Sequence, residues 1–354
     1  MAQTTGRPCI SATCLCGAIS YALPPDQRLP LDSVLCHCTD CRYVTGALYL
    51  SSPELSEAPP RDILEHAVHY DSSGTRRRWF CGHCGSHMFV QEIGGEGKRW
   101  WVMGGVLEQS RGLNSPGSRA TNTTRATHHI FVTDTGDGAL GARMIRLGAR
   151  EVACWDKRAS TSRQVSEGEL REMALHAELA SEMKSKFLEA QCHCGGVNVR
   201  ITRPNFESLK LQQRYIPEQK DTYVAGICTC RSCRLALGVS FQPWAYIPPG
   251  NIFLANTETT VKFGAEGDRE GSNGVITLRH IWSSKDTCRS FCGRCGATVF
   301  YWHNDRPEVV DVSVGLLRSQ DGAMARSWLS WRKGGPSFKD DCVDEELLTA
   351  IFPS

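Results

Sequence analysis

Cysteine is the residue type best placed to do chemistry in this chain, because 18 of its 354 residues are cysteines and most of them fall in short clusters. A CxC or CxxC sequence places two sulfurs on one tight turn, and two such turns from distant segments can close a four-sulfur cage around zinc. The spacing is found in a first four-cysteine group, Cys14, Cys16, Cys81 and Cys84, and in a second four-cysteine group, Cys192, Cys194, Cys292 and Cys295. We predict that each group binds a structural zinc ion.

A third kind of cluster has the spacing CxCxxC and supplies three sulfurs. It forms a first central triad, Cys36, Cys38 and Cys41, and a second central triad, Cys228, Cys230 and Cys233. Zinc held by three protein ligands keeps a fourth position for water, substrate or an exogenous thiolate, which is typical of a catalytic site. Such a metal holds an incoming thiol as its thiolate and acts as a Lewis acid. We predict a metal at both triads and catalysis at the first.

Two alternatives to three-coordinate zinc stay open from the sequence. One is disulfide pairing within the clusters. The other is a fourth ligand from elsewhere in the protein, with the candidates His37, His66, His69 and His83. Four further cysteines stand outside the clusters and are predicted to be small buried apolar residues rather than ligands. These are Cys9, Cys154, Cys288 and Cys342.

The clusters follow the same order in both halves of the chain, CxC, then CxCxxC, then CxxC, which indicates an internal duplication. The offsets between the copies are 178, 192 and 211 residues (192 − 14, 228 − 36 and 292 − 81), so the two intervening segments are 14 and 19 residues longer in the second copy. The segments 100–107 and 309–317 also resemble each other, with Gly105 and Gly315 in register. Longer segments between fixed clusters are expected of loops around a rigid site.

Alternation of apolar and polar residues around the clusters predicts strands and a mainly β fold. One helix is expected between the copies, where Ser166 and Glu169 have the spacing of a capping box. Apolar residues then recur at helical spacing, and these are Leu170, Met173, Ala177, Ala180, Met183 and Phe187. We predict a first domain at 10–150, a linker with this helix at 151–190, and a second domain at 191–345.

Composition and charge exclude some classes of function. The formal net charge of +2 gives no polyelectrolyte footprint, so we expect no nucleic-acid partner. No stretch approaches the ~20 apolar residues of a membrane helix, and the first residues lack the apolar core of a signal peptide. We therefore expect a cytoplasmic protein, with the nucleus as the alternative, in which thiols stay reduced and available to metal.

The cysteine motifs resemble those of a known family. The motifs are Cys36-His37-Cys38-Thr39-Asp40-Cys41-Arg42 with Thr45-Gly46, and Phe80-Cys81-Gly82-His83-Cys84-Gly85-Ser86. They are similar to the glutathione-dependent formaldehyde-activating enzyme family, also called the GFA or CENP-V domain, over about 10–150 and again about 190–340. The resemblance implies two Mss4-like β-tent domains of antiparallel sheets. Tandem copies of this kind resemble proteins found in fungi.

The resemblance also implies a division of labour between two zinc ions in each domain. The four-cysteine groups hold structural zinc, and the central triads hold a second, labile zinc that is lost or moved when glutathione binds. The founding activity of the family joins formaldehyde and glutathione to S-hydroxymethylglutathione, a carbon–sulfur lyase reaction in reverse. The implied partners are therefore a small thiol such as glutathione and an aldehyde. Two other functions stay open: a non-catalytic, zinc-stabilised binding module, and a tailoring lyase in fungal secondary metabolism.

The second copy departs from the family pattern outside its metal ligands. Thr229 stands in place of His37, Leu237-Gly238 in place of Thr45-Gly46, and Ala297 in place of Ser86. We therefore favour the first copy as the working site, or a site shared across the interface between the copies. Arg42 and Arg234 follow the last cysteine of each triad, and a guanidinium there suits a substrate carboxylate, with a structural ion pair as the alternative.

Overall fold

The computed structural model describes residues 10–94, 98–109, 122–180, 185–206, 211–267 and 277–353. These residues form a mainly β protein with short helices, which confirms the predicted fold class. No helix among them is long and apolar enough to cross a membrane. The helices are α1 (Thr39–Thr45), α2 (Arg61–Glu65), α3 (Glu167–Ala180), α4 (Arg231–Leu237), α5 (Gly264–Gly267) and α6 (Glu345–Ile351).

The strands follow the chain in two series. The first series is β1 (Ile10–Thr13), β2 (Ser20–Ala22), β3 (Leu31–Cys36), β4 (Leu50–Ser51), β5 (Glu54–Leu55), β6 (Ala67–Ser73), β7 (Arg76–Cys81), β8 (His87–Glu92), β9 (Trp100–Val102), β10 (Leu107–Gln109), β11 (Thr124–Ile130), β12 (Arg146–Leu147), β13 (Arg150–Glu151), β14 (Cys154–Trp155) and β15 (Gln164–Val165). The second series is β16 (Phe187–Gln191), β17 (Asn198–Thr202), β18 (Tyr223–Cys228), β19 (Gln242–Ile247), β20 (Ile252–Leu254), β21 (Leu278–Ser284), β22 (Thr287–Cys292), β23 (Thr298–His303), β24 (Val310–Ser313) and β25 (Leu329–Trp331).

The sheets are mostly antiparallel, as predicted. In the first copy the orders are β10-β1-β2, β15-β14-β11-β3-β4 and β5-β9-β8-β7-β6, with a small β12-β13 pair. In the second copy they are β16-β17-β20 and a seven-stranded β21-β22-β23-β24-β19-β18-β25. Parallel pairing brings β11 against β3 and β25 against β18. In each copy, therefore, a strand from late in the copy lies beside the strand that ends at the central triad.

The two copies share strand register around the cysteine clusters, which supports an internal duplication. The hairpin that contains the CxxC sequence has an irregularity at the same place in both copies, next to Phe80 in β7 and next to Phe291 in β22. Leu50 lies opposite Cys36, and Gln242 lies opposite Cys228. Equivalent positions in the two copies can therefore be read from the hydrogen-bonded register.

The helix predicted between the copies is present as α3, and its capping box forms. The Glu169 N–H donates to Ser166 Oγ at 3.2 Å, and the Ser166 N–H donates to Glu169 Oε2 at 2.8 Å. The extension of the helical stripe to Phe187 is wrong, because Phe187 begins β16 and pairs with Thr202. Its spacing from Leu170 is coincidental, since the residues after it alternate in burial as a strand does. Met183 lies outside the described residues.

The predicted linker also contributes strands to the first copy. Within 151–190, β14 pairs with β11, and β15 pairs with β14, so this segment extends the sheet that carries the first central triad. The C-terminal segment also packs on the first copy, because α6 contacts β12. The buried Asp344 carboxylate before α6 accepts hydrogen bonds from the backbone N–H groups of Thr123 and Thr124 and from the Ser240 hydroxyl.

The copies meet through direct backbone contacts between glycines. The Gly105 N–H donates to the Gly238 carbonyl at 2.9 Å, and the Gly315 N–H donates to the Gly46 carbonyl at 3.0 Å. These two bonds are equivalent under the repeat. A Cβ atom on Gly105 would lie 2.2 Å from the Val239 nitrogen. Only glycine allows so close an approach, and one hydrophobic core runs through both copies around it.

We expect Gly105→Ala and Gly315→Ala each to lower the free energy of unfolding by roughly 1–3 kcal/mol or more, because the added Cβ forces the two backbones apart. Gly250→Ala is the matched control, since a Cβ there meets nothing within 4 Å. The measurement is urea unfolding followed by circular dichroism. Equal midpoints for the interface variants and the control would show that the copies do not pack through these glycines.

Candidate metal centres

The four-cysteine groups converge as predicted. In each group the four Sγ atoms lie within 4.8 Å of one another. Sγ–Sγ distances are 3.5 Å for Cys14 and Cys16 and 3.7 Å for Cys16 and Cys81. Tetrahedral zinc with Zn–S bonds of about 2.3 Å separates its sulfurs by about 3.8 Å, whereas a disulfide requires about 2.05 Å. The spacing therefore fits a metal ion, and the cysteines that the structure describes form no disulfide.

Local backbone turns set this convergence. After the CxC of the first copy, Gly17 adopts φ +78°, and the chain returns so that the Ile19 N–H donates to Cys14 Sγ at 3.2 Å. After the CxxC, Gly85 adopts φ +76° and its N–H donates to the Cys81 carbonyl at 2.9 Å. A side chain would strain both positions, which explains why glycine follows each pair of sulfurs. The second copy repeats both turns with Gly195 and Gly296.

Each central triad lies where a strand passes into a helix. Cys36 ends β3, Cys38 is the N-cap of α1, and Cys41 is in the first turn of that helix. Cys38 Sγ accepts a hydrogen bond from the Cys41 N–H at 3.4 Å, and the same bond joins Cys230 and Cys233 in the second copy. The three Sγ atoms of each triad lie within 4.8 Å of one another.

Among the described residues, no histidine or carboxylate joins either triad. The four histidines considered as a fourth ligand all fall within the described ranges and lie outside the groups. Outside the clusters, Cys154, Cys288 and Cys342 are buried, as predicted, and Cys9 lies outside the described residues. Each triad therefore offers three sulfur ligands. A metal ion bound there would take its fourth ligand from outside the described residues.

His37 points away from the sulfurs and into the protein. Its Nε2 lies 3.0 Å from Nδ1 of His129, whose Nε2 lies 3.1 Å from the Met144 carbonyl. A carbonyl only accepts, so His129 carries its proton on Nε2 and accepts from His37 at Nδ1. Burial lowers the pKa of both rings, that of His129 to about 4, so the pair is neutral at pH 7. The sequence did not indicate this pair, since the two histidines are 92 residues apart.

Arg42 and Arg234 are buried and bonded to backbone carbonyls. Arg42 Nε donates to the His37 carbonyl at 3.3 Å and Nη2 to the Asp134 carbonyl at 3.1 Å. Arg234 Nη1 donates to the carbonyl of Gly105 at 2.6 Å. These contacts hold the ends of the triad helices in place, and this geometry does not favour the predicted contact of Arg42 with a substrate carboxylate.

A different arginine contacts the sulfurs. Arg78 Nη2 donates to Cys41 Sγ at 3.3 Å, and Arg289 Nη1 donates to Cys233 Sγ at 3.5 Å. Both arginines are buried. Side-chain hydrogen bonding with Cys36 and Cys38, together with the charge of Arg78, holds the pKa of the Cys41 thiol well below its usual value. The sequence carried a signal for this pair, because their offset of 211 residues equals that of the CxxC clusters.

The two triads differ in the residues packed beside them. In the second copy, Tyr215, Trp244 and Tyr246 are buried in one cluster with Cys228 and Cys233. By register, the first copy places Ser52 and Glu54 at the positions of the tryptophan and the second tyrosine. Tyr215 lies in the segment that is 14 residues longer in the second copy. The second triad therefore has an aromatic wall, of which the tryptophan and the second tyrosine are replaced by Ser52 and Glu54 in the first copy.

The fold and these groups define a mainly β protein with two kinds of cysteine site in each copy, all suited to metal. The family model of the glutathione-dependent formaldehyde-activating enzyme matches residues 9–134 and 187–331. The chain belongs to this zinc-binding family and carries two copies of its domain.

The other comparisons add little. A crystal structure of a Rhodobacter sphaeroides protein is similar to this chain at 16% sequence identity, covering 41% of this chain and 99% of that protein, with a TM-score of 0.26. A comparison with curated proteins finds no match.

We expect Cys81→Ser to make the protein unfold or become insoluble, because metal binding at a closed four-sulfur site supplies folding free energy. Cys38→Ser should leave the fold intact, since β3 stays paired with β4 and β11 and a serine hydroxyl can still cap α1. We would compare the two variants by their soluble yield, circular dichroism and zinc content. An equal loss of solubility in both would contradict the division into structural and central sites.

Proposed function

We propose that the protein is a zinc-dependent enzyme of the carbon–sulfur lyase type that joins a thiol such as glutathione to an aldehyde such as formaldehyde. The single observation that carries this proposal is the three-sulfur donor set of each central triad, to which no fourth ligand comes from the described residues. A structural zinc has no need of a fourth position kept free, whereas a substrate thiol does.

In this proposal the four-cysteine groups hold structural zinc and the central triads hold a second zinc in each copy, with Cys36, Cys38 and Cys41 as the catalytic set. Bound zinc would favour the thiolate form of the substrate and polarise the carbonyl oxygen. The sulfur lone pair forms the new bond to the carbonyl carbon, the C=O π electrons move to oxygen, and the thiol proton ends on that oxygen. No oxidant or reductant is needed, and the reverse reaction releases both partners.

Arg78 has a defined part in this chemistry. Three thiolates around Zn²⁺ carry a net charge of −1, which opposes the approach of a fourth thiolate. The buried guanidinium, bonded to Cys41 Sγ, offsets that charge and keeps the ligand deprotonated. It therefore favours both metal binding and the entry of an anionic sulfur.

We assign the reaction to the first copy. Its triad retains the His37 and His129 pair behind the sulfurs, whereas the second copy has Thr229, whose hydroxyl donates to backbone carbonyls. The aromatic wall beside the second triad, part of which comes from the longer segment, favours a second candidate function for that copy, a zinc-stabilised module without catalysis. A tailoring lyase that acts on a larger thiol adduct would use the same first triad, and the choice of substrate distinguishes it.

The test is exchange NMR of glutathione and formaldehyde with the zinc-loaded protein, because the thiol adds to formaldehyde unaided and the background must be subtracted. We expect exchange faster than background, lost in Cys38→Ser and retained in Cys230→Ser. If no pair of small thiol and aldehyde reacts above background, the proposal fails. If Cys230→Ser abolishes exchange while Cys38→Ser retains it, the assignment to the first copy is wrong.

Replacing Arg78 by Gln should lower the affinity of the first central triad for zinc by about 10- to 100-fold, the usual effect of losing a residue that contacts a metal ligand. Arg289→Gln is the matched variant in the second copy and should spare the first triad. Competition with a chromophoric chelator measures both, and Arg78→Lys, which keeps the charge, should recover part of the loss. If Arg78→Gln leaves the zinc affinity of the first central triad unchanged, Arg78 has no part in metal binding there.

A further inference from the structure

The helices that carry the central triads lie at the interface between the copies. The Gly315 N–H of the second copy donates to the carbonyl of Gly46, which ends α1 of the first. The Gly105 N–H of the first copy donates to the carbonyl of Gly238, which ends α4 of the second. Each triad helix is therefore held at its C-terminal end by the opposite copy.

The second copy makes a further contact with α1 through His193. This residue lies between Cys192 and Cys194, two members of the second four-cysteine group. Its backbone N–H donates to the Tyr43 carbonyl at 3.0 Å, and its Nε2 lies 3.3 Å from Oδ1 of Asp40, which is the residue before Cys41. A turn that carries two sulfurs of the second four-cysteine group thus contacts the helix that places a sulfur in the first central triad.

The ring of His193 is fixed from its other side as well. Its Nδ1 lies 2.8 Å from the hydroxyl of Tyr70, a residue of β6 in the first copy. The Arg318 guanidinium stacks on the Tyr43 ring and donates to the Gln191 carbonyl at 3.0 Å, directly before the second four-cysteine group. The Tyr70 and Asp40 contacts hold the His193 ring against α1.

The contact on α4 is of a different kind. Glu108 of the first copy accepts two hydrogen bonds from Arg231, at 2.6 and 2.7 Å, and one from Arg234 at 3.2 Å. Arg231 follows Cys230, and Arg234 follows Cys233. At the position of His193 the first copy has Leu15, which cannot make the same bonds. The two triad helices are therefore held by chemically different side chains, and each can be changed without altering the other.

We propose that each central triad is positioned by the opposite copy, the first triad by His193 and the second by Glu108. Helices α1 and α4 have only seven residues each, so contacts at one or two positions decide where their cysteines lie. Thiolate sites lose metal affinity when a ligand moves by a fraction of an ångström, and residues that orient ligands matter accordingly. Neither copy is then a complete unit by itself. This inference rests on metal binding by the triads and is independent of the reaction assigned to them.

The experiment measures the zinc affinity of one triad at a time by competition with a chromophoric chelator, without substrate. Cys230→Ser disables the second triad and reports the first, and Cys38→Ser does the reverse. His193→Leu and Glu108→Gln are each introduced into both backgrounds. Leucine is chosen because the first copy has Leu15 at the position of His193. We expect His193→Leu to weaken the first triad by about 10- to 100-fold and to spare the second. Glu108→Gln should do the opposite, and Glu108→Asp, which keeps the carboxylate, should recover part of the loss.

Tyr70→Phe is a second variant on the first-copy side of the contact, and it removes the hydroxyl that bonds to His193 while every residue of the cysteine turns stays in place. It should weaken the first triad in the same direction as His193→Leu and decides the matter if His193→Leu does not fold. The proposal is overturned if the substitutions weaken both triads equally or leave both unchanged. Because no thiol or aldehyde is present, these results do not depend on whether the exchange reaction described above is observed.

Discussion

Close packing of thiol sulfurs is the constraint on which the rest of this structure depends. Sulfurs held within 4.8 Å of one another repel as thiolates and gain little as thiols, so a cation is needed to make the arrangement favourable. Each four-cysteine group takes its sulfurs from two separated stretches of backbone. Each central triad takes its sulfurs from the junction between a strand and a helix. A metal ion bound at a four-cysteine group would also link the CxC turn to the CxxC hairpin.

Duplication gave the two copies the same sulfur geometry but different surroundings. Gly46 and Gly238 receive equivalent bonds from the opposite copy, so the interface keeps the symmetry of the repeat. The residues around the triads do not keep it, since one copy has buried histidines and the other an aromatic cluster. This difference between the surroundings of two equal ligand sets is the basis for proposing different roles for the two copies.

Much of the site was predictable because metal ligation requires particular residue types at short spacing. The strand alternation and the capping box of α3 were equally local signals. Contacts between distant residues were not, which is why the sequence did not show that His37 meets His129 or that Asp344 joins three segments. Arg42 was the nearer candidate in sequence, but helix geometry turns it toward carbonyls, and the strand pairing brings Arg78 to the sulfur instead. Phe187 fits both the spacing of a helix and the alternation of a strand, and its pairing with Thr202 shows that it belongs to a strand.

The most direct test of metal binding is metal analysis of the purified protein combined with X-ray absorption at the zinc edge. Four zinc ions per chain, two surrounded by four sulfurs and two by three sulfurs and one lighter atom, are the expected result. Absence of bound metal, with the cysteines recovered as cystines, would contradict the central claim.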